Sequence, residues 1–126
     1  SLQKAIALEP RHADAHIAMS NGTQCRGPEQ FKPVLRTYHD GFSELRHEVI
    51  HVVETEDQIA IELRITGVHT GVLHTLFGDI PPTGKTLAWD VVNVVTIHDG
   101  RAIRWKTYFD QMAIPLQLDL LPKPGA

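Results

Sequence analysis

From Gln58 to Thr66 apolar and polar positions alternate strictly, with Ile59, Ile61, Leu63 and Ile65 set against Ala60, Glu62, Arg64 and Thr66. A period of two predicts an antiparallel strand buried on one face. An apolar run from Leu45 to Val53 predicts the strand before it, with Glu54 to Asp57 as the polar turn between them. Lys85 to Met112 predicts two long strands joined at His98-Asp99-Gly100, because Asp-Gly between apolar runs supplies the positive φ of a tight hairpin. Earlier, Asp14 to Ser20 alternates with Ala15, Ile17 and Met19 on one face, and Asn21-Gly22 marks a turn. Phe31, Leu35, Tyr38 and Phe42 recur at helical spacing. Gly27-Pro28 opens that helix, Pro33 is a place for it to bend, and Asp40-Gly41 closes it. Leu2 to Leu8 reads as a short helix ended by Pro10. The order is helix, strand, helix, then four meandering strands, which is an α+β arrangement. Ala113 to Leu121 is apolar but carries Pro115, and residues 122–126 read as a mobile tail.

The chain has 126 residues, so residues 1–126 make one domain. Its formal net charge of -3 argues against nucleic acid or an anionic membrane as partner, since both call for a basic excess. A single cysteine, Cys25, rules out an intrachain disulfide and suits a reducing compartment, so a cytoplasmic location is expected. No stretch approaches the roughly 20 apolar residues of a membrane span, and the first residues do not read as a signal peptide.

Four runs stand in a telling order: GVHTG (Gly67 to Gly71), PPTGK (Pro81 to Lys85), the HDG turn, and YFDQM (Tyr108 to Met112). Together with RGPEQF (Arg26 to Phe31) they resemble the SnoaL-type polyketide cyclases, within the superfamily that has the nuclear transport factor 2 fold. The resemblance covers roughly residues 14 to 121. It implies a curved antiparallel sheet forming a cone closed by helices, a deep apolar pocket, and a homodimer through the outer sheet face. Members include aldol cyclases, ketosteroid isomerases, limonene-epoxide hydrolases and silent binding proteins, so the fold alone does not give the function. The chain departs from the family in having room for one short helix before its first strand, where two are usual. It also reads Gln117-Leu118-Asp119 where Gln-Leu-Gly is common.

In the cyclases one Asp at the end of the last strand acts as general acid/base without metal or cofactor, and the matching residue here is Asp110. A carbon between two carbonyls is already acidic, so a carboxyl raised by burial suffices to move its proton. Alternation places Trp105, Thr107, Phe109 and Gln111 on one face, and Arg104, Lys106, Tyr108 and Asp110 on the other. Asp110 therefore reaches a pocket only if the strand bulges near Tyr108 or at its end. Otherwise it caps the next segment or pairs with a surface arginine. His69, between two glycines, is the second catalytic candidate, through a proton shared with Asp110 or a bond to a substrate oxygen; the alternative is a structural histidine. Asp90 is either a second pocket carboxylate or an outward residue with a Lys or Arg partner. Tyr108, His16, Asn21 and Trp89 complete the candidate substrate-binding set for a small apolar metabolite, although Trp89 and Trp105 suit a core or dimer contact as well.

No metal is expected. His47 and His51 share a strand face but stand ~13 Å apart at ~3.3 Å per residue. Cys25 lacks a hydrolase pattern, and PPTGK lacks the spacing of a phosphate loop. Two further functions compete with the cyclase. The run WKTYFD (Trp105 to Asp110) resembles the WRDYFD end of the limonene-epoxide hydrolases, but Thr107 and Ala88 replace the expected Asp and Arg, leaving Asp90 alone of that trio. The other is a non-catalytic small-molecule-binding member.

Overall fold

The structure is a computed structural model that describes residues 16–20, 22–75 and 78–120. The helix expected over Leu2 to Leu8, Asn21, and the tail at 122–126 lie outside the described residues. The elements are β1 (His16–Met19), β2 (Gln24–Arg26), α1 (Gly27–Gly41), β3 (Phe42–Glu54), β4 (Gln58–His69), β5 (Leu73–Thr75), β6 (Gly78–Ile80), β7 (Thr86–His98), β8 (Arg101–Phe109) and α2 (Ala113–Gln117). Six strands form one sheet in the order β2-β1-β8-β7-β4-β3, while β5 and β6 make a separate two-stranded ribbon. The expected antiparallel sheet is in fact mixed: β1 runs parallel to β8, and every other pair is antiparallel. A parallel pairing needs a long connection between its strands, and the chain supplies one by carrying β2 through β7 between β1 and β8.

The β7–β8 hairpin turns as its sequence predicts. Asp99 (φ 51°) and Gly100 (φ 73°) both take the left-handed conformation that a two-residue hairpin loop demands. The register then shifts between Thr96 and Ile97, where Thr96 faces Arg104 and Ile97 faces Ala102, so Ile103 is the extra residue of a bulge. Beyond it the pairing runs unshifted from Thr96 and Arg104 to Val91 and Phe109.

Helix α1 covers one face of the sheet. Its N-terminus is closed by Gln30, whose Oε1 accepts the Arg26 backbone N–H at 2.6 Å. The helix runs unbroken through Pro33. Phe31 and Val34 pack on the cluster of Ile17, Cys25, Val95, Ala102 and Trp105. One turn further, Tyr38 packs on the cluster of Phe42, Leu73, Leu87, Trp89, Val91 and Leu118. The segment after β8, which Pro115 made unattractive as a helix, folds into the single turn α2. Pro115 sits in its first turn, where a proline costs no helical hydrogen bond. No helix among the described residues is long and apolar enough to cross a membrane.

The edge strand β3 carries two irregularities, between Ser43 and Arg46 and between Val49 and His51. The second makes Ile50 the extra residue, so His47 faces Ile65 while His51 faces Glu62. The two histidines therefore lie on opposite faces rather than sharing one, because a bulge reverses the alternation.

Candidate functional site

Cross-strand register stacks the helix-covered face into rows. Ile59, Val95, Trp105, Ile17 and Cys25 make one row across five strands, all buried. The adjacent row is Ile61, Asn93, Thr107 and Met19. Here the apolar face is interrupted: Asn93 is 8% exposed, and its Oδ1 accepts the Thr107 hydroxyl at 2.8 Å. Next come Leu63, Val91 and Phe109, then Ile65 and Trp89.

At the far end of this face lies His69, fully buried as the last residue of β4. Its backbone is tied on both sides to the loop before β7. The His69 N–H donates to the Lys85 carbonyl at 2.9 Å, and the Gly84 N–H donates to the His69 carbonyl at 2.8 Å. The ring nitrogen Nδ1 lies 2.9 Å from Thr83 Oγ1, which also accepts the Lys85 backbone N–H at 3.3 Å. The PPTGK run thus fixes the imidazole through one side and two backbone groups. Its other nitrogen, Nε2, is buried with no hydrogen-bond partner among the described residues. An unpaired buried polar atom costs about 1–3 kcal/mol, so its persistence calls for a reason.

Aromatic rings lead from His69 along the face. Phe42 lies 5.7 Å from the imidazole and 5.2 Å from Trp89, centroid to centroid, and Tyr38 stacks on Trp89 at 6.2 Å. Burial pushes the Tyr38 phenol above its ordinary pKa, because the charged form loses water without gaining a partner. The glycines of GVHTG permit the close approach. A Cβ at Gly67 would stand 3.0 Å from Leu45 Cδ2, and one at Gly71 would collide with the Asp40 carbonyl oxygen.

Of the expected site residues that the structure describes, only His69 and Trp89 belong to this face, and Phe42 lies between them. Four of the expected site residues lie elsewhere. Asp110 is exposed just beyond β8, and its Oδ1 accepts the Met112 N–H at 2.9 Å, so it caps the turn into α2. The bulge that would have turned it inward is absent at Tyr108, and lies instead at Ile103. Tyr108 is 43% exposed and shares the outer face with Val92 and Lys106, with Lys106 Nζ 5.3 Å from its ring centroid. Asp90 is exposed on the same outer face and meets Arg64 across the β4–β7 ladder. That arginine's hydrogen bond holds the Asp90 carboxyl below the usual carboxylate range. The epoxide-hydrolase reading thereby loses its remaining carboxylate. His16 is half-buried opposite Arg104, also on the outer face.

Asn93, Tyr38 and Thr83 were not singled out by sequence. For Asn93 the signal was present, since it keeps the parity of Val91 and Val95 and so had to point inward. Tyr38 was placed on the helix only by spacing, and Thr83 depends on a loop conformation that no local pattern encodes.

A family model for SnoaL-like polyketide cyclases matches residues 5–118. Among solved structures, a Jannaschia protein assigned as a SnoaL-like polyketide cyclase is similar, at TM-score 0.74 and 22% identity over 94% of this chain and 80% of that one. IdmH of Streptomyces antibioticus, assigned as a polyketide cyclase, aligns at TM-score 0.69 and 22% identity over 94% and 88%. A nuclear transport factor 2-like protein of Burkholderia thailandensis aligns at TM-score 0.63 and 12% identity over 93% and 82%. At such identities these likenesses concern the fold. No curated protein matches the chain. With the family model spanning nearly all of its elements, from β1 to α2, the chain belongs to the SnoaL-like polyketide cyclase family.

Proposed function

We propose that this protein is a cofactor-independent acid/base enzyme, acting on an apolar carbonyl compound held against the helix-covered face, in the manner of an aldol cyclase. The observation that carries this reading is His69, with Nδ1 held by Thr83 and Nε2 buried without a partner. A ligand atom placed at Nε2 would remove the cost of that unpaired nitrogen. Imidazole is also the side chain best suited to exchange a proton near neutral pH.

The chemistry needs one proton taken and one returned. With Nδ1–H donating to Thr83, the Nε2 lone pair accepts a proton from the carbon between two carbonyls. The enolate carbon attacks a further carbonyl of the same molecule, forming a carbon–carbon bond. The resulting alkoxide takes the proton back from the imidazolium. Phe42, Trp89 and Tyr38 supply the apolar aromatic lining against which an aromatic or polyketide-like substrate would pack. Asp110, engaged as a cap, is left outside this cycle.

The test is exchange of deuterium into the central carbon of an aromatic 1,3-diketone, followed by NMR, in His69→Asn and Asp110→Asn. The first should lose about 10²–10⁴ in rate, the usual contribution of a positioned acid/base. The second should retain its rate, because asparagine can still accept from the Met112 N–H. The reverse pattern would return the acid/base role to the end of the last strand.

The homodimer implied by the family resemblance is also proposed. The outer face offers Val53 (55% exposed) and Tyr108 (43%) beside half-buried Val92. Sedimentation velocity at micromolar concentration should give a dimer, and a monomer would count against it.

A further inference from the structure

The outer face of the sheet holds a second feature that the acid/base chemistry does not use. Register places Gln58, Thr96, Arg104, His16 and Arg26 in one row across β4, β7, β8, β1 and β2. In the neighbouring row Val94 faces Lys106, which is one side chain along from Arg104 on the same face of β8. The bulge at Ile103 adjoins this row and bends the corner of the sheet, as bulges do. Gln58, Val94, Thr96, Arg104 and Lys106 line a half-open concavity there of about 140 Å³. That is several times the roughly 30 Å³ share of one water.

The lining is rich in donors and contains no acid. Arg104 and Lys106 stand ~6.6 Å apart along the strand, and His16 faces Arg104 directly across the ladder. No described carboxylate stands in either row, and neither Arg104 nor Lys106 has an ion-pair partner among the described residues. Of the carboxylates around it, Asp57 accepts the Thr55 hydroxyl, Asp99 lies by His98 and Asp90 holds Arg64, while Glu62 stands one row further along the face, opposite Val92. Two cations side by side on one strand face repel each other, and a bound anion removes that repulsion while gaining charge-assisted hydrogen bonds. The two cations, with an amide and a hydroxyl beside them, match an oxyanion of two charges and several acceptor oxygens better than a single carboxylate.

We infer that this concavity binds a phosphate group, held by Arg104 and Lys106 with Gln58 and Thr96 as neutral donors. The group is either the free ion or one carried on a metabolite. The site is on the opposite face of the sheet from His69, so it is a binding site separate from the proposed catalytic one.

The experiment titrates inorganic phosphate and phenyl phosphate into the full chain, by calorimetry at constant ionic strength set with chloride. It is run at a protein concentration where sedimentation gives one species. Saturable binding of both shows a site for a carried phosphate group, and binding of inorganic phosphate alone shows a site for the free ion. In Arg104→Gln/Lys106→Gln either affinity should fall about tenfold or more, as expected for losing charge-assisted bonds. Arg104→Lys should restore part of it. Circular dichroism of the double variant should match the parent, since both side chains are peripheral. Absence of saturable binding in the parent, or unchanged affinity in the folded double variant, would overturn the inference.

Discussion

Arg64 Nε lies 3.0 Å from Asp90 Oδ1, and Arg64 Nη2 lies 3.4 Å from Asp90 Oδ2, so the two side chains join β4 to β7 on the outer face of the sheet. The pair is exposed, and exposed pairs contribute little to stability. Its clearest signature is the titration of Asp90, held low first by the Arg64 hydrogen bond. A depressed carboxyl adds stability that is complete above the unfolded value of about 4 and disappears as pH falls through the folded value. Carboxyl-carbon NMR should therefore find Asp90 titrating below an ordinary aspartate, and Arg64→Gln should move it back up. Deuterium exchange into the 1,3-diketone should be unchanged in Asp90→Asn.

The hydrogen bond from Thr107 to Asn93 gives a double-mutant test of the polar row. Thr107→Val removes the donor and leaves the Asn93 carbonyl oxygen without it, at a cost of about 1–3 kcal/mol in urea unfolding. Adding Asn93→Leu removes both partners and should recover much of that loss. A loss that simply adds would show that the two side chains act independently.

Gly71→Ala should be among the most damaging single substitutions in the chain. Its new Cβ would meet the Asp40 backbone oxygen, an atom that cannot swing aside, next to the bond from the Gly71 N–H to the Gly41 carbonyl at 3.2 Å. A loss of more than about 2 kcal/mol is expected. Soluble yield and the thermal midpoint would show it, and a midpoint near that of the parent would mean that the turn relaxes freely.

Tyr38 carries the alkaline limit. Its phenol is raised by burial, so the protonated side chain is the one the fold accepts. Stability should hold below the unfolded value of about pH 10 and fall as pH climbs towards the folded value. Tyr38→Phe should flatten that fall in thermal unfolding between pH 9 and 11. Absorbance at 295 nm should show one tyrosine ionising late in the parent only.

Much of the frame was legible in residue pattern. The alternation from Gln58 to Thr66 fixed both faces of β4, and Asp99-Gly100 announced the hairpin. Alternation along β8 also carried the answer about Asp110, whose side chain followed the outward parity of Arg104, Lys106 and Tyr108. What pattern did not carry was anything set by a distant partner. The bulges at Ile50 and Ile103 arise from pairing register, and the first of them separated His47 from His51. The setting of the His69 ring, which leaves Nε2 unpaired, depends on Thr83 holding Nδ1 from fourteen residues away. Pro115 disguised α2, because a proline in a first turn looks locally like one that prevents a helix.

The parallel pairing of β1 with β8 has a consequence for how the chain becomes a protein. Ile17 and Trp105 are neighbours in the same buried row, yet more than half of the chain separates them. During synthesis Ile17 can pair early with Cys25 of β2, but its other side stays uncovered until β8 has left the ribosome. Contacts this distant in sequence close slowly, since the connecting loop must first lose its freedom. The β3, β4 and β7 meander can form earlier, from neighbours in sequence. Folding then finishes at the seam between β1 and β8, and the open edge of β8 is the place where an interrupted molecule would capture the wrong strand.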